Sequence, residues 1–215
     1  MSEYAHSSDL RPVFDRVYRT NRWTTAGNGS GPGSALGPED PLIKGLVRFI
    51  RSNAIGRIVD VSCGGMAWWP HVLAETEGIA FHDFDVSHVI VNRNREAFPD
   101  RGWRFDVADA RTHAFPHADL IVCRQTLNHL WPEDAVAVVN NLRRCARFLA
   151  ITHDPAIRAN PAKADHYPLF DDCTRATRYV RLNLHLDPFS PMPGIAAIPD
   201  VDDQRLGIFQ GDLPA

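Results

Sequence analysis

Residues 58–69 combine a short strand pattern, a pair of glycines and the beginning of a helix. Residues 58–61 form the apolar run that is typical of a strand in a parallel sheet, with one acid, Asp60, inside it. Gly64 and Gly65 come next, and glycines let the backbone turn tightly and approach a ligand closely. The segment therefore predicts a strand, a ligand-binding turn and a helix in direct succession.

A second strand is predicted over residues 79–84, and Asp85 follows it. In an open α/β sheet the glycine turn after one strand lies under a ribonucleoside, and an acid after the next strand accepts hydrogen bonds from both ribose hydroxyls. Binding of a pyrophosphate needs three glycines in this turn, but residues 62–67 read Ser-Cys-Gly-Gly-Met-Ala. The two strands together predict a nucleoside cofactor without a pyrophosphate.

The remaining pattern predicts an α/β fold of the Rossmann-like, doubly wound type. Further strands are expected at residues 103–107, 119–124 and 148–152, and helices at about 10–18, 41–53, 67–77, 87–98 and 132–147. Residues 194–198 and 205–210 read as two more strands whose connection is too short for a crossover helix, so they must run antiparallel. We therefore expect a mostly parallel seven-stranded sheet that ends in an antiparallel pair.

Length and composition suit a single domain over residues 1–215. Within it, residues 1–37 are predicted to form an N-terminal helix and a glycine-rich lid, and residues 153–193 an acceptor-binding insert. The net charge of −3 gives no electrostatic case for a nucleic-acid partner. The four cysteines show no metal-binding spacing, and no apolar run reaches membrane length. We expect a cytoplasmic protein with reduced thiols, no membrane partner and a small-molecule acceptor, and the sequence leaves a homodimer open.

The segment with Asp60 and Gly64 resembles motif I of the class I S-adenosylmethionine-dependent methyltransferases, although Ser62 and Met66 stand at two of its glycine positions. The resemblance implies the class I methyltransferase fold and S-adenosyl-L-methionine as cofactor. Asp109, after the third strand, resembles the acid that receives the adenine amino group in this family. A divalent metal remains open, but no residue pattern supports one. The residues expected to bind the cofactor are Trp23, Gly31, Ser34, Asp60, Ser62, Cys63, Gly64, Asp85, Val86, Asp109, Ala110 and Arg124.

His129 is the candidate catalytic base. It lies in the segment after the fourth strand that, in the family, passes beside the methyl acceptor. An alcohol is a poor nucleophile until its proton leaves, and an imidazole is suited to take that proton near neutral pH. His153 and Asp154 follow the fifth strand and are predicted to orient His129 or to hold a substrate hydroxyl.

Other segments resemble a narrower set of small bacterial methyltransferases that includes sugar O-methyltransferases. They are Trp23, residues 29–34, the pair Cys123-Arg124 with His129-Leu130, and residues 182–184 with Pro188-Phe189. This resemblance implies a sugar acceptor, and amide and guanidinium side chains suit a polyhydroxylated ring. The residues expected to bind the acceptor are Asn128, Asn160, Arg178, Arg181 and Asn183. Two alternatives stay open: methylation of a small amine, and a non-catalytic module that only holds the cofactor.

Overall fold

The computed structural model describes residues 9–23, 29–160, 180–189 and 192–214. Strands and α-helices alternate through most of this part of the chain. The strands are β1 (Arg57–Val61), β2 (Ala80–Asp85), β3 (Arg104–Val107), β4 (Ala118–Cys123), β5 (Ala146–His153), β6 (Gly194–Pro199) and β7 (Arg205–Gln210). The helices are α1 (Arg11–Arg19), α2 (Pro41–Ser52), α3 (Trp69–Ala74), α4 (His88–Ala97) and α5 (Pro132–Arg143).

The strands form one seven-stranded sheet in the order β3-β2-β1-β4-β5-β7-β6. Neighbours from β3 to β5 are parallel, whereas β7 runs antiparallel to both β5 and β6. This arrangement confirms the fold class that the sequence predicts. The carboxyl ends of β2, β1 and β4 meet at one edge of the sheet, and ligands of open α/β sheets bind at that edge.

Helices cover both faces of the sheet, because successive strand residues point to opposite sides. On one face Ile58 packs with Leu46 of α2, Val72 of α3 and Val91 of α4. On the other, Val59 shares a core with Val138 of α5. The segment 180–189 joins this second core through Leu182, Leu184 and Phe189.

Three elements have boundaries that differ clearly from those that the sequence predicts. The last helix ends at Arg143 and not at residue 147, because Ala146 already pairs with Ala118 of β4. The fifth strand therefore begins earlier, and it also continues one residue further, to His153. The third helix is short, since it spans only Trp69–Ala74.

Cys63, Cys123 and Cys145 are free thiols, the first two of them buried, and Cys173 lies outside the described residues. Among the described helices, none combines the length and the apolar character needed to span a bilayer.

Candidate active site

Two adjoining cavities lie at the carboxyl ends of β1, β2, β3 and β4. The larger has a volume of about 300 Å³ and the smaller about 60 Å³. Five residues line both of them, which makes them one continuous cleft: Tyr18, Trp23, Ser62, Gln125 and His129. The cleft thus occupies the position at which the sequence predicts a nucleoside ligand.

The turn after β1 forms the floor of the larger cavity. Ser62, Gly64 and Met66 all have left-handed backbones, with φ of 72°, 55° and 54°. The two non-glycine residues thus adopt the conformation that glycine favours at these positions. A side chain at Gly64 would collide with the hydroxyl of Ser30, which accepts a hydrogen bond from the Gly65 amide at 2.6 Å. The segment 29–34 is therefore seated directly on this turn.

Asp60 is buried under the turn and accepts a hydrogen bond from the Trp69 indole at 2.6 Å. Its neighbour in register on β2 is Asp83, which is also fully buried. Burial raises the pKa of Asp60 to about 7, and it raises that of Asp83 well above its usual range. Of the two, only Asp60 lines the cleft.

Asp85 ends β2 at the smaller cavity. One carboxylate oxygen accepts from the Ser87 amide at 2.8 Å, and the other accepts from the Tyr18 hydroxyl at 3.1 Å. Burial raises the pKa of Asp85 to about 6. Val86 and Ala110 line the same cavity and offer apolar contact to a flat ring. The acid that the sequence assigns to the ribose is therefore present, and α1 covers it.

Asp109 lines the smaller cavity but already has a partner. Arg111 donates to both of its carboxylate oxygens, at 2.6 to 3.1 Å, and also contacts Asp134 at 3.1 Å. Burial raises the pKa of Asp109, but the hydrogen bonds and charge of Arg111 outweigh this effect and lower it. The carboxylate expected to receive an adenine amino group is thus engaged within the protein.

His129 lies where the two cavities meet. It ends the short 3₁₀ helix Leu127–His129 that follows β4, and its ring stacks on Trp23 with 5.1 Å between the ring centroids. Burial lowers the pKa of His129 to about 4. The imidazole is therefore neutral at neutral pH, which is the form that can accept a proton.

Arg124 lines the larger cavity and connects three of its walls. Its guanidinium bonds to Asp200 at 2.6 and 3.1 Å and to the Gly33 carbonyl at 2.8 Å. The same group lies 5.6 Å from the ring centroid of Trp68. Gly31, Ser34 and Cys63, which the sequence assigns to the cofactor, line this cavity as well.

The other two residues expected to be catalytic do not line the cleft. The ring of His153 packs against His185, at 5.2 Å between centroids, and against Phe209. Asp154 forms an ion pair with Arg181 at 3.0 Å. Because β5 extends to residue 153, Thr152 and His153 point to opposite faces of the sheet, and the His153 ring lies with His185 and Phe209.

Four of the residues expected to bind the acceptor do not line the cleft either. Asn160 and Asn183 bond to backbone groups and thereby tie together segments 155–160 and 183–187. Asn128 donates to Gln125 at 3.0 Å beneath the cleft, and Arg181 is held by Asp154. Arg178 lies outside the described residues.

Sequence reasoning missed several residues that line the larger cavity. Tyr18 belongs to the predicted first helix, and its spacing suggested only a packing role. Val201 and Asp202 come from the turn between β6 and β7, far along the chain. Asp202 has a left-handed backbone with φ of 51°, a conformation that often marks functional turns, but nothing in the sequence reveals it.

Within the ranges that the structure describes, no group of three or more His, Cys, Asp or Glu side chains could hold a metal ion. The cleft is therefore built from hydrogen-bonding and aromatic groups: carboxylates at its floor, an imidazole at its centre and two indole rings in its walls. Such a site can orient a polar ligand and accept a proton.

Comparison with known proteins agrees with this geometry. The family model of a methyltransferase domain matches residues 58–148, which carry β1 to β4, α5 and His129. No curated protein sequence matches the chain significantly.

Solved structures similar to this one include several methyltransferases. Magnesium protoporphyrin IX methyltransferase (ChlM) from Synechocystis PCC 6803, solved with SAH bound, has a TM-score of 0.61 and 16% identity, and the match covers 94% of this chain and 98% of that one. PigF, also solved with SAH, has a TM-score of 0.63 and 16% identity, over 92% of this chain and 62% of PigF.

The mitomycin 7-O-methyltransferase MmcR has a TM-score of 0.58 and 15% identity, over 79% of this chain. This chain spans about half of the MmcR length, 53%. At these identities the likeness shows the fold, and the family model adds the domain type. Residues 58–148 therefore match the model of a methyltransferase domain, within a chain that has the class I methyltransferase fold.

Proposed function

We propose that this protein is an S-adenosylmethionine-dependent O-methyltransferase that acts on a hydroxyl of a small polar acceptor. The observation that carries the proposal is the continuous cleft with Asp85 at one end and a neutral, half-buried His129 at its centre. The methyltransferase domain model and the neighbours solved with SAH support the same reading.

The cleft residues fit the cofactor. Asp85 would hold the ribose hydroxyls, and the turn with Gly64 and Ser62 would lie along the nucleoside, since both residues line the cleft. Val86 and Ala110 would flank the adenine ring. Asp109 would contribute little through its carboxylate, since Arg111 already engages both oxygens.

The cofactor, when bound, supplies an electrophilic methyl group on a sulfonium. The chain itself has to align the acceptor oxygen with that methyl group and to remove one proton. His129 is placed for the second task, and stacking on Trp23 fixes the orientation of its ring. Ser34 and Gln125, also in the larger cavity, offer polar groups that would orient a hydroxylated acceptor.

For the acceptor we propose a sugar or oligosaccharide, within polysaccharide biosynthesis. The support is the resemblance to small bacterial sugar O-methyltransferases, together with a cleft that combines Trp23 with polar groups. Methylmannose oligosaccharides, methylated at the reducing-end hydroxyl by a mycobacterial member of that group, are the first acceptors to test.

A second candidate function is methylation of a small amine. Trp23, Trp68 and the carboxylates of Asp60 and Asp202 line the larger cavity, and aromatic rings with acids suit a cationic amine. The nitrogen attacks with its own lone pair once the ammonium proton has passed to one of these carboxylates or to solvent, so His129 would then matter little.

A transfer assay separates these functions. The protein is incubated with methyl-labelled S-adenosylmethionine and either saccharides or small amines, and product is counted. For O-methylation we expect His129→Ala to lower the rate by about 10²–10⁴-fold with both substrates saturating. His117→Ala, at an exposed histidine away from the cleft, is the matched control and should match the wild type.

Three other results of this assay would contradict O-methylation. Product only from amines, with His129→Ala near the wild-type rate, supports the amine function. SAH binding without transfer to any acceptor supports a non-catalytic binding module. No SAH binding at all would contradict the cofactor assignment itself.

A further inference from the structure

Asp200, in the turn between β6 and β7, is the centre of a buried hydrogen-bond network. Its side chain has no exposed surface. Its carboxylate accepts from Arg124 at 2.6 and 3.1 Å, from the Thr152 hydroxyl at 3.0 Å and from the side-chain amide of Gln125 at 3.3 Å. It also accepts from the amide of Val201 at 2.8 Å.

This network leads to the turn that carries His129. The Gln125 side chain, held at its nitrogen by Asp200, accepts at its oxygen from Asn128, the residue directly before His129. The Gln125 backbone amide bonds to the Thr152 hydroxyl at 3.1 Å. Gln125 has a left-handed backbone with φ of 56°, so its position requires support from surrounding contacts.

The same carboxylate fixes the opposite wall of the cleft. It is the counter-ion of the buried Arg124 guanidinium, whose remaining contacts are the Gly33 carbonyl and the Trp68 ring. A buried guanidinium without its counter-ion is strongly unfavourable, so loss of the charge at Asp200 would displace Arg124. Both the glycine-rich segment and the His129 turn are therefore attached to one side chain.

We propose that Asp200 is a positioning residue for methyl transfer, which fixes the segment 124–129 and with it the imidazole of His129. This role rests on the proposed function, because it concerns the geometry of the candidate base. The carboxylate does not line the cleft, so it acts only through Arg124, Gln125 and Thr152.

The test uses Asp200→Asn, which keeps the shape of the side chain and removes its charge. We expect kcat to fall by about 10–100-fold, because a small displacement of a base slows the transfer step. The KM for S-adenosylmethionine should rise as well, because Arg124 and the glycine-rich segment line the same cleft. The imidazole NMR signal of His129, assigned with His129→Ala, should shift. Asp203→Asn, at an exposed position of the same turn, should leave kcat, KM and the NMR signal unchanged.

Thr152→Val is a second variant that leaves the buried ion pair intact. It removes only the hydroxyl that bonds to Asp200 and to the backbone amide of Gln125. We expect a loss of about threefold to tenfold in kcat and a smaller shift of the His129 signal than in Asp200→Asn. The double variant should be no slower than Asp200→Asn alone, because both changes act through one network.

A folded Asp200→Asn protein with the kcat and His129 signal of Asp203→Asn would overturn the proposal. If Asp200→Asn does not fold, an unchanged kcat and His129 signal in Thr152→Val would overturn it instead. If the wild type transfers no methyl group but Asp200→Asn still shifts the His129 signal, the proposed function fails and the positioning role stands.

Discussion

Ser62 and Met66 hold left-handed backbones in the turn after β1, and each costs about 1 kcal/mol relative to glycine there. Surrounding contacts offset that cost. The Ser62 amide donates to the Phe84 carbonyl at 2.7 Å. The Met66 side chain is buried in the core that α2, α3 and α4 form with one face of the sheet. The turn therefore keeps a glycine-like shape without its glycines, and Met66 adds apolar packing.

Asp85 is the residue on which cofactor affinity should depend most. Asp85→Ala removes the charged acceptor of two ribose hydroxyls, so we expect SAH binding to weaken by about 1.5–3 kcal/mol. Isothermal titration calorimetry measures the change. Asp106→Ala, an exposed acid on the neighbouring strand, is the control and should bind SAH as the wild type does. An unchanged Kd in Asp85→Ala would show that another residue binds the ribose.

His129 should titrate far below a solvent-exposed histidine, since burial lowers its pKa from 6.5 to about 4. The base form is then already complete near pH 5, and the transfer rate should gain nothing from His129 between pH 6 and 8. The unfolded chain binds this proton between about pH 4 and 6.5 while the folded chain does not, so His129 makes stability rise with pH across that window. NMR titration of the imidazole checks the pKa, and a midpoint at 6.5 or above would contradict it.

Two elements at the N-terminal side of the chain form the roof of the cleft. α1 is attached through Asp15, which accepts from the Ser87 hydroxyl at 2.6 Å and contacts His88 at 2.8 Å. The segment 29–34 is attached at Ser30 and Gly33. The sequence predicted a lid here from glycine content alone, and the described part of that segment does line the larger cavity.

A lid that closes over the cofactor should be protected when the cofactor site is filled. We expect trypsin to cut after the exposed Arg22 more slowly in the presence of saturating SAH, because ligand contacts with Trp23 and with residues 31–34 stabilise the closed state. Cleavage after Arg101, in the exposed turn before β3, is the internal control. Equal protection factors at both sites would show that the glycine-rich segment is an ordinary surface loop and not a lid.

At the scale of the molecule, the sheet could be predicted because its strands are short apolar runs separated by turns and amphipathic helices. The position of Asp85, Gly64 and His129 at the cleft could be predicted, because residues that follow neighbouring parallel strands meet at one edge of the sheet. The position of His153 could not be predicted, because β5 continues one residue further than the sequence indicates and thereby turns the His153 ring to the other face of the sheet. Asp200 could not either, because its partner Arg124 is far away along the chain and only the folded sheet brings the two together.

The buried acids of β1 and β2 should make the stability of the whole domain depend on pH. Burial raises the pKa of Asp60 from 3.8 to about 7, so the folded chain retains a proton that the unfolded chain loses, and stability falls as pH rises through this window. Asp60→Asn keeps an acceptor for Trp69 without a charge. We expect its stability relative to the wild type to increase by on the order of 2 kcal/mol between pH 5 and pH 8 in urea unfolding.

Asp100→Asn, at an exposed position in the turn after α4, is the control for this measurement. Unfolding curves of Asp60→Asn and the wild type that differ equally at pH 5 and pH 8 would show that Asp60 does not carry the dependence.

The hairpin of β6 and β7 has a consequence for the order in which the site is assembled. The five parallel strands and their helices can form while the hairpin is still being synthesised, because β7 adds to the outside of β5. Until it does, Arg124 lacks its counter-ion and the loop after β4 lacks the support of Asp200. The cleft is therefore incomplete until the hairpin has added, and we expect a nascent chain to gain its compact core before it gains a competent site.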